Sequence, residues 1–196
     1  MFTGIIEAQG RVENITREDK NIHFDISSSI SEELKIDQSV AHDGACLTVV
    51  ALDNGKHRVT AIDETLLKTN LSEWQVGAEV NLERCMPSGG RFDGHIVQGP
   101  VDTVGTSVKK IDDGGSWRFY FEHPNTLEFI TVPKGSITIN GVSLTVVDSQ
   151  PGKFSVAIIP YTYEHTGFKN LDKGSAVNLE FDIVGKYVAR LMEMKD

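Results

Sequence analysis

The segment Asp43-Gly-Ala-Cys-Leu-Thr-Val-Val50 returns 97 residues later as Asn140-Gly-Val-Ser-Leu-Thr-Val-Val147. The same step carries Thr69 to Thr166 and Val80-Asn-Leu-Glu83 to Val177-Asn-Leu-Glu180. At a step of 95, the opening Phe2 to Gly10 aligns with Val97 to Gly105. Such a step exceeds the roughly 20–50 residues of solenoid and propeller units and suits a small independent domain. The chain therefore reads as two copies of one domain with two similar pockets. Two such pockets can hold two copies of one molecule, or one copy in a working site beside a site that has drifted.

With 196 residues, 39% of them apolar, the chain can build two cores, each near the size where a domain is only modestly stable alone. Mutual docking or oligomerisation is the expected supplement. The formal charge of −9 is spread along the chain, and Lys109-Lys110 is the nearest approach to a basic cluster, so nucleic acid is not an expected partner. The N-terminus has no basic region or long apolar run, and no stretch reaches the roughly 18 apolar residues of a membrane span. The expectation is a soluble, cytoplasmic protein. Cys46 and Cys85 sit at non-equivalent places in one half without CxxC spacing, and read as reduced. The six histidines show no HExxH or paired His/Cys spacing, so no metal is expected.

Short runs rich in Val, Ile, Thr and Phe recur at Val40 to Leu52, His57 to Ile62, Glu79 to Leu82, Ser136 to Val147, Lys153 to Ile159 and Ala176 to Phe181. Turn signals such as Asp53-Asn54-Gly55 and Pro151-Gly152 separate them, which predicts antiparallel strands. About six strands per half suit a small closed barrel. The predicted fold is all-β: two tandem, similar, six-stranded closed antiparallel barrels over residues 1–90 and 91–183, followed by a C-terminal α-helix over 184–196. Short helices are expected at Ser28 to Leu34, Glu64 to Thr69 and Pro124 to Phe129. In the terminal segment, apolar residues at 184, 187, 188, 191 and 192 form one helical stripe. Because this helix follows a completed domain, the stripe is expected to pack against other subunits.

These motifs resemble riboflavin synthase of the alpha-subunit type, a lumazine-binding double-barrel family. The opening Met1-Phe-Thr-Gly-Ile, the Asp43-Gly-Ala-Cys-Leu-Thr-Val and Asn140-Gly-Val-Ser-Leu-Thr-Val pair, Gly94-His-Ile-Val-Gln-Gly99, the repeated Val-Asn-Leu-Glu and the tail helix match in order over the full length. The resemblance implies a reaction without external cofactor. Two molecules of 6,7-dimethyl-8-ribityllumazine exchange a four-carbon unit, giving riboflavin and a ribitylamino-pyrimidinedione. It further implies a homotrimer assembled through the tail helix, with a working site between the N-terminal barrel of one subunit and the C-terminal barrel of another. Lumazine synthase is a candidate partner by the same resemblance.

The chemistry asks for removal of a proton from the C7 methyl of one lumazine and addition of a nucleophile to C7 of the other. Much of the acceleration can come from aligning the two rings, with side chains assisting proton transfer. The family positions for that work fall on Cys46, Ser143, His95, Ser39, Asp182 and Lys134, with Phe2 shaping the slot. Substrate recognition falls on Gly4, Ile5, Ala41, Thr48, Thr60, Ile62, Thr65, Gln98, Val101, Thr145, Ile159 and Thr162. Taken alone, a strand threonine is an ordinary β-former, a cysteine in an apolar strand is ordinarily inert packing, and Lys134 beside Gly135 is an ordinary surface residue. One departure stands out. Where the family reads Gly-His-x-x-x-Gly-His-Val, this chain has Gly94-His95-Ile-Val-Gln-Gly99-Pro100-Val101. Proline offers neither an imidazole nor a backbone donor, which raises a rival reading: a lumazine protein that binds lumazine or flavin without turning it over.

Overall fold

A computed structural model of the chain describes residues 1–194. Strands β1 (Ala8–Glu18), β2 (Asn21–Ser27), β3 (Ser39–His42), β4 (Ala45–Asp53), β5 (Lys56–Ala61) and β6 (Glu79–Arg84) close in the order β1-β2-β5-β4-β3-β6. Strands β7 (Thr103–Asp112), β8 (Trp117–Glu122), β9 (Ser136–Ile139), β10 (Val142–Gln150), β11 (Lys153–Ile158) and β12 (Ala176–Phe181) close in the order β10-β11-β8-β7-β12-β9. All pairings are antiparallel. Closure leaves no free sheet edge. Written from its equivalent strands, the second cycle repeats the first.

Alternation drives each strand. In β2, Ile22, Phe24 and Ile26 are buried while their neighbours are half-exposed. The first core is mainly aliphatic; the second is built on Phe119, Phe121, Phe154, Phe168 and Phe181. The run predicted from Val40 to Leu52 is two strands, because Asp43 and Gly44 both take positive φ in a tight turn. The two barrels touch there: a Cβ on Gly44 would lie 2.8 Å from the Gly141 nitrogen, and one on Gly141 would lie 2.9 Å from that of Gly44. The repeated glycines thus permit backbone-to-backbone contact between the copies.

The helices differ partly from expectation. The segment from Ser28 forms only a 3-10 turn at Ser31–Glu33, and α1 spans Asp63–Lys68. No helix forms at Pro124 to Phe129. The segment closes only one turn, with Phe129 N–H donating to the Thr126 carbonyl at 3.2 Å, and the Phe129 ring stacks on Phe181 with centroids 5.1 Å apart. A helix not expected from the sequence, α2 (Pro160–His165), is the repeat equivalent of α1, with proline at the start where its missing N–H costs nothing. The last helix, α3, spans Ile183–Glu193; positions 195 and 196 of the predicted helix lie outside the described residues.

Candidate active site

Cys46 and Ser143 occupy equivalent places near the start of β4 and β10. In β4, Ala45, Leu47 and Val49 are buried and Cys46, Thr48 and Val50 face outward. Across the ladder, Ser39 pairs with Thr48 and Ala41 with Cys46. In β10, Ser143 and Thr145 pair with Thr138 and Ser136. Both candidate sites therefore lie on the outer walls of the barrels, whose interiors are filled by core side chains.

Each outer wall is completed by the leading segment of the other repeat. Ser143 N–H donates to the Gly4 carbonyl at 2.8 Å, and Cys46 N–H donates to the Gly99 carbonyl at 2.9 Å. The two leads are tied together where Phe2 and Val97 exchange backbone hydrogen bonds of 2.7 and 3.1 Å. Phe2 is wholly buried against Val97 and Ala41. Val101 packs into the first barrel's core and Ile6 against the second's, each opposite to its place in the repeat. Gly4 (φ +78°) and Gly99 (φ +102°) are obligatory: a Cβ would come within 2.5 Å of Ser143 Cβ and 2.8 Å of Cys46 Cβ.

Two clefts result. One, of about 350 Å³, is lined by Cys46, Thr65, Thr69, Gly99, Pro100 and Val101. The other, of about 410 Å³, is lined by Gly4, Ile5, Ser143, Tyr161, Thr162 and Thr166. Among the described residues, none lines both. A larger hollow of about 500 Å³ outside the second barrel, beside Val108, Tyr120 and Phe154, holds none of the candidate residues.

The groups beside Cys46 and Ser143 differ. His95 Nδ1 lies 2.7 Å from Ser143 Oγ, and its Nε2 is 3.3 Å from Thr138 Oγ1. Its backbone N–H is fixed by the Thr3 carbonyl at 3.1 Å. Burial holds the imidazole below its ordinary pKa, partly offset by the Asp182 carboxylate, which favours the neutral ring needed to accept a proton. Asp182 also caps α3, accepting from Val184 N–H at 3.0 Å. In the first cleft, Cys46 is exposed as a residue, yet the protein around its sulfur pushes the thiol pKa up, with the Ser39 hydrogen bond opposing.

Other candidate residues take plainer positions. Thr60 Oγ1 meets His23 Nδ1 at 2.9 Å on the outer face of β5. Ile62 and Ile159 precede α1 and α2 and are 53% and 60% exposed, large apolar surface at the equivalent edge of each barrel. Thr65 and Thr162 give their carbonyls to Thr69 Oγ1 and Thr166 Oγ1, both at 2.7 Å. Gln98 is exposed and placed by its backbone. Lys134 is exposed at positive φ before β9, and among the described residues its ammonium makes no hydrogen bond or ion pair. It is thus not joined to the His95–Ser143 pair. Sequence reasoning missed Thr138, whose signal was its place two residues after Ser136, the repeat counterpart of Ser39.

Among the described residues, no group of three or more His, Cys, Asp or Glu side chains is arranged to hold a metal ion, and no helix is long and apolar enough to cross a membrane.

The model of the lumazine binding domain matches twice, over residues 3–85 and 98–182. Riboflavin synthase of Actinobacillus pleuropneumoniae is 38% identical over 100% of this chain and 91% of its own length. That of Bacillus subtilis (strain 168) is 37% identical over 98% of this chain and 90% of its own. Among solved structures, LumP complexed with riboflavin superposes with a TM-score of 0.86 at 26% identity, covering 93% of this chain and 100% of that one. LumP complexed with 6,7-dimethyl-8-(1'-D-ribityl) lumazine gives 0.84 at 25% identity, over 92% and 98%. With both barrels matched by the domain model and the relatives aligned over the full length, the chain belongs to the riboflavin synthase family of tandem lumazine-binding domains.

Proposed function

We propose that this chain is a riboflavin synthase, converting two molecules of 6,7-dimethyl-8-ribityllumazine into riboflavin and 5-amino-6-ribitylamino-pyrimidinedione. The two products contain every atom of the two substrates, so the transfer needs no external oxidant or reductant. The observation that carries this reading is the pair of repeat-equivalent clefts with unlike chemistry: Cys46, beside Ser39, lines one, and Ser143, hydrogen-bonded to His95, lines the other. Similar shapes accept the same ring, and unlike side chains give the two copies different fates. Beside the second cleft the neutral His95 relays a proton to or from Ser143 Oγ, and Thr138 fixes the far ring nitrogen. The outward Thr48 and Thr145 offer hydroxyls to the ribityl chains.

The two clefts share no lining residue among those described, and in this reading the two stacked rings are held by clefts of different subunits. The exposed stripe of Val184, Tyr187, Val188, Leu191 and Met192 on α3 supplies a surface for that assembly, which we take to be a homotrimer. Association with lumazine synthase is a further expectation of the same reading.

A carrier that binds without turnover is the second reading, motivated by the likeness to ligand-bound LumP and by Pro100, which lines the Cys46 cleft. Pro100 is exposed and precedes β7, so it removes no ladder hydrogen bond. Incubating purified, metal-chelated protein with the lumazine alone separates the readings. Two lumazines consumed per riboflavin formed is the expected outcome; tight binding without turnover assigns the protein to the carriers.

A further inference from the structure

We infer that the repeated Val-Asn-Leu-Glu strands are cross-barrel positioning elements: Asn178 and Glu180 of the second barrel set both walls of the Cys46 cleft, and Asn81 and Glu83 of the first set those of the Ser143 cleft. In β6, Val80 and Leu82 point into the core, so Asn81 and Glu83 face outward; they are nevertheless only 1% and 4% exposed. In β12, Asn178 and Glu180 are likewise buried. A carboxylate is buried at this depth only where donors meet it.

The donors come from the segments that line the clefts. Glu83 accepts from Thr3 N–H at 2.6 Å, Thr3 Oγ1 at 2.8 Å and Gly4 N–H at 2.9 Å, and Gly4 lines the Ser143 cleft. Glu180 accepts from Gln98 N–H at 2.6 Å and Gly99 N–H at 3.0 Å, and Gly99 lines the Cys46 cleft. The asparagines hold the opposite wall. Asn81 Oδ1 accepts from Gly167 N–H at 2.8 Å while its amide donates to the Asn140 carbonyl at 2.9 Å. Asn178 Oδ1 accepts from Asn70 N–H at 2.8 Å while its amide donates to the Asp43 carbonyl at 2.9 Å. Gly167 and Asn70 follow Thr166 and Thr69, which line the second and first clefts. One strand of each barrel thus grips lead and helix of the other barrel's cleft through charge-assisted and amide hydrogen bonds. Each ligand site would then depend on the barrel that does not contain it.

The consequence for turnover rests on the synthase reading; the crossed dependence does not, and can be read without activity. The test is the rate of Cys46 alkylation by iodoacetamide, resolved from Cys85 by peptide mass spectrometry, in the full chain with and without riboflavin. Because the Glu180 charge also bears on the Cys46 thiol, the variants used are Glu180→Asp and Glu83→Asp, which keep the charge and withdraw the carboxylate by one methylene. Loss of a charge-assisted hydrogen bond corresponds to about a tenfold change, and that change, with weakened protection by riboflavin, is expected at Cys46 in Glu180→Asp. In Glu83→Asp, although Glu83 shares the barrel of Cys46, the Cys46 rate stays within about twofold of the parent. A Cys46 rate that follows Glu83→Asp instead, or neither variant, overturns the assignment. Should Glu180→Asp not fold, Asn178→Ser, too short to reach Asn70 N–H, takes its place with the same expectation. A parent protein that binds riboflavin and shows the crossed pattern but turns over no lumazine would refute the synthase reading and leave this one standing.

Discussion

His95 and Ser143 are 48 residues apart in sequence and 2.7 Å apart in space, close enough for proton transfer without rearrangement. Replacing either by alanine is expected to lower kcat by about 10²-fold or more, with circular dichroism unchanged. Pro100 differs from its repeat counterpart in one donor. The Ile5 N–H adds to the hydrogen bonds that restrain Glu83, and Pro100 has none to offer Glu180. Pro100→His, which restores that donor, is expected to raise turnover; equal rates would show the proline to be neutral. A third pair lies inside the first barrel. His42 Nε2 meets His57 Nε2 at 2.8 Å, His42 Nδ1 meets the Val40 carbonyl and His57 Nδ1 meets Ser31 Oγ. Desolvation drives these imidazoles down to about 3 and about 4. Both therefore stay neutral when folded and take up protons on unfolding below their ordinary pKa near 6.5. Stability from this pair is full above pH 6.5 and lost as pH falls toward 4, at about 1.4 kcal/mol per histidine per pH unit. Asp43, raised by burial to about 7, opposes this slope, so the direct check is NMR: the His42 and His57 ring resonances should not titrate between pH 7.5 and 5.

At the scale of elements, α3 shows both of its faces. Lys186 reaches Asp102 at 2.7 Å and Ala189 is buried, fixing one side to the second barrel. The predicted apolar stripe lies on the other side, with Leu191 61% and Met192 66% exposed. Truncation after Asp182 is expected to abolish self-association in sedimentation velocity and to weaken turnover, while each barrel keeps its strands. A truncated chain that still sediments as an oligomer would remove α3 from that role. The strands were legible because alternation has a short period: Phe24 between His23 and Asp25 declares its side without knowledge of its neighbours. Short connections were less so. The Pro124 segment closes only one turn, with Phe129 stacked on Phe181, a contact across 52 residues, whereas Pro160 to His165 gained a helix that the repeat itself could have signalled from α1.

At the scale of the whole molecule, the two copies meet at Gly44 and Gly141 and exchange their leading segments. Gly44→Ala would force a Cβ to 2.8 Å from the Gly141 nitrogen at φ +83°, so we expect a loss of about 1–3 kcal/mol, read as a lowered Tm with the strand content of both barrels kept. The sequence by itself determined the duplication, the barrel class, the strand faces and the kinds of side chain at each site, because periodicity, turn chemistry and repeat spacing are local or translational patterns. It could not show that Gly4 completes the Ser143 cleft and Gly99 the Cys46 cleft, or that Asn81 and Glu83 are buried while facing away from their own core. Those facts were decided only by docking the barrels across a pseudo-twofold axis: a crossed contact joins residues whose separation carries no period, and burial between domains leaves no mark in the alternation of either strand.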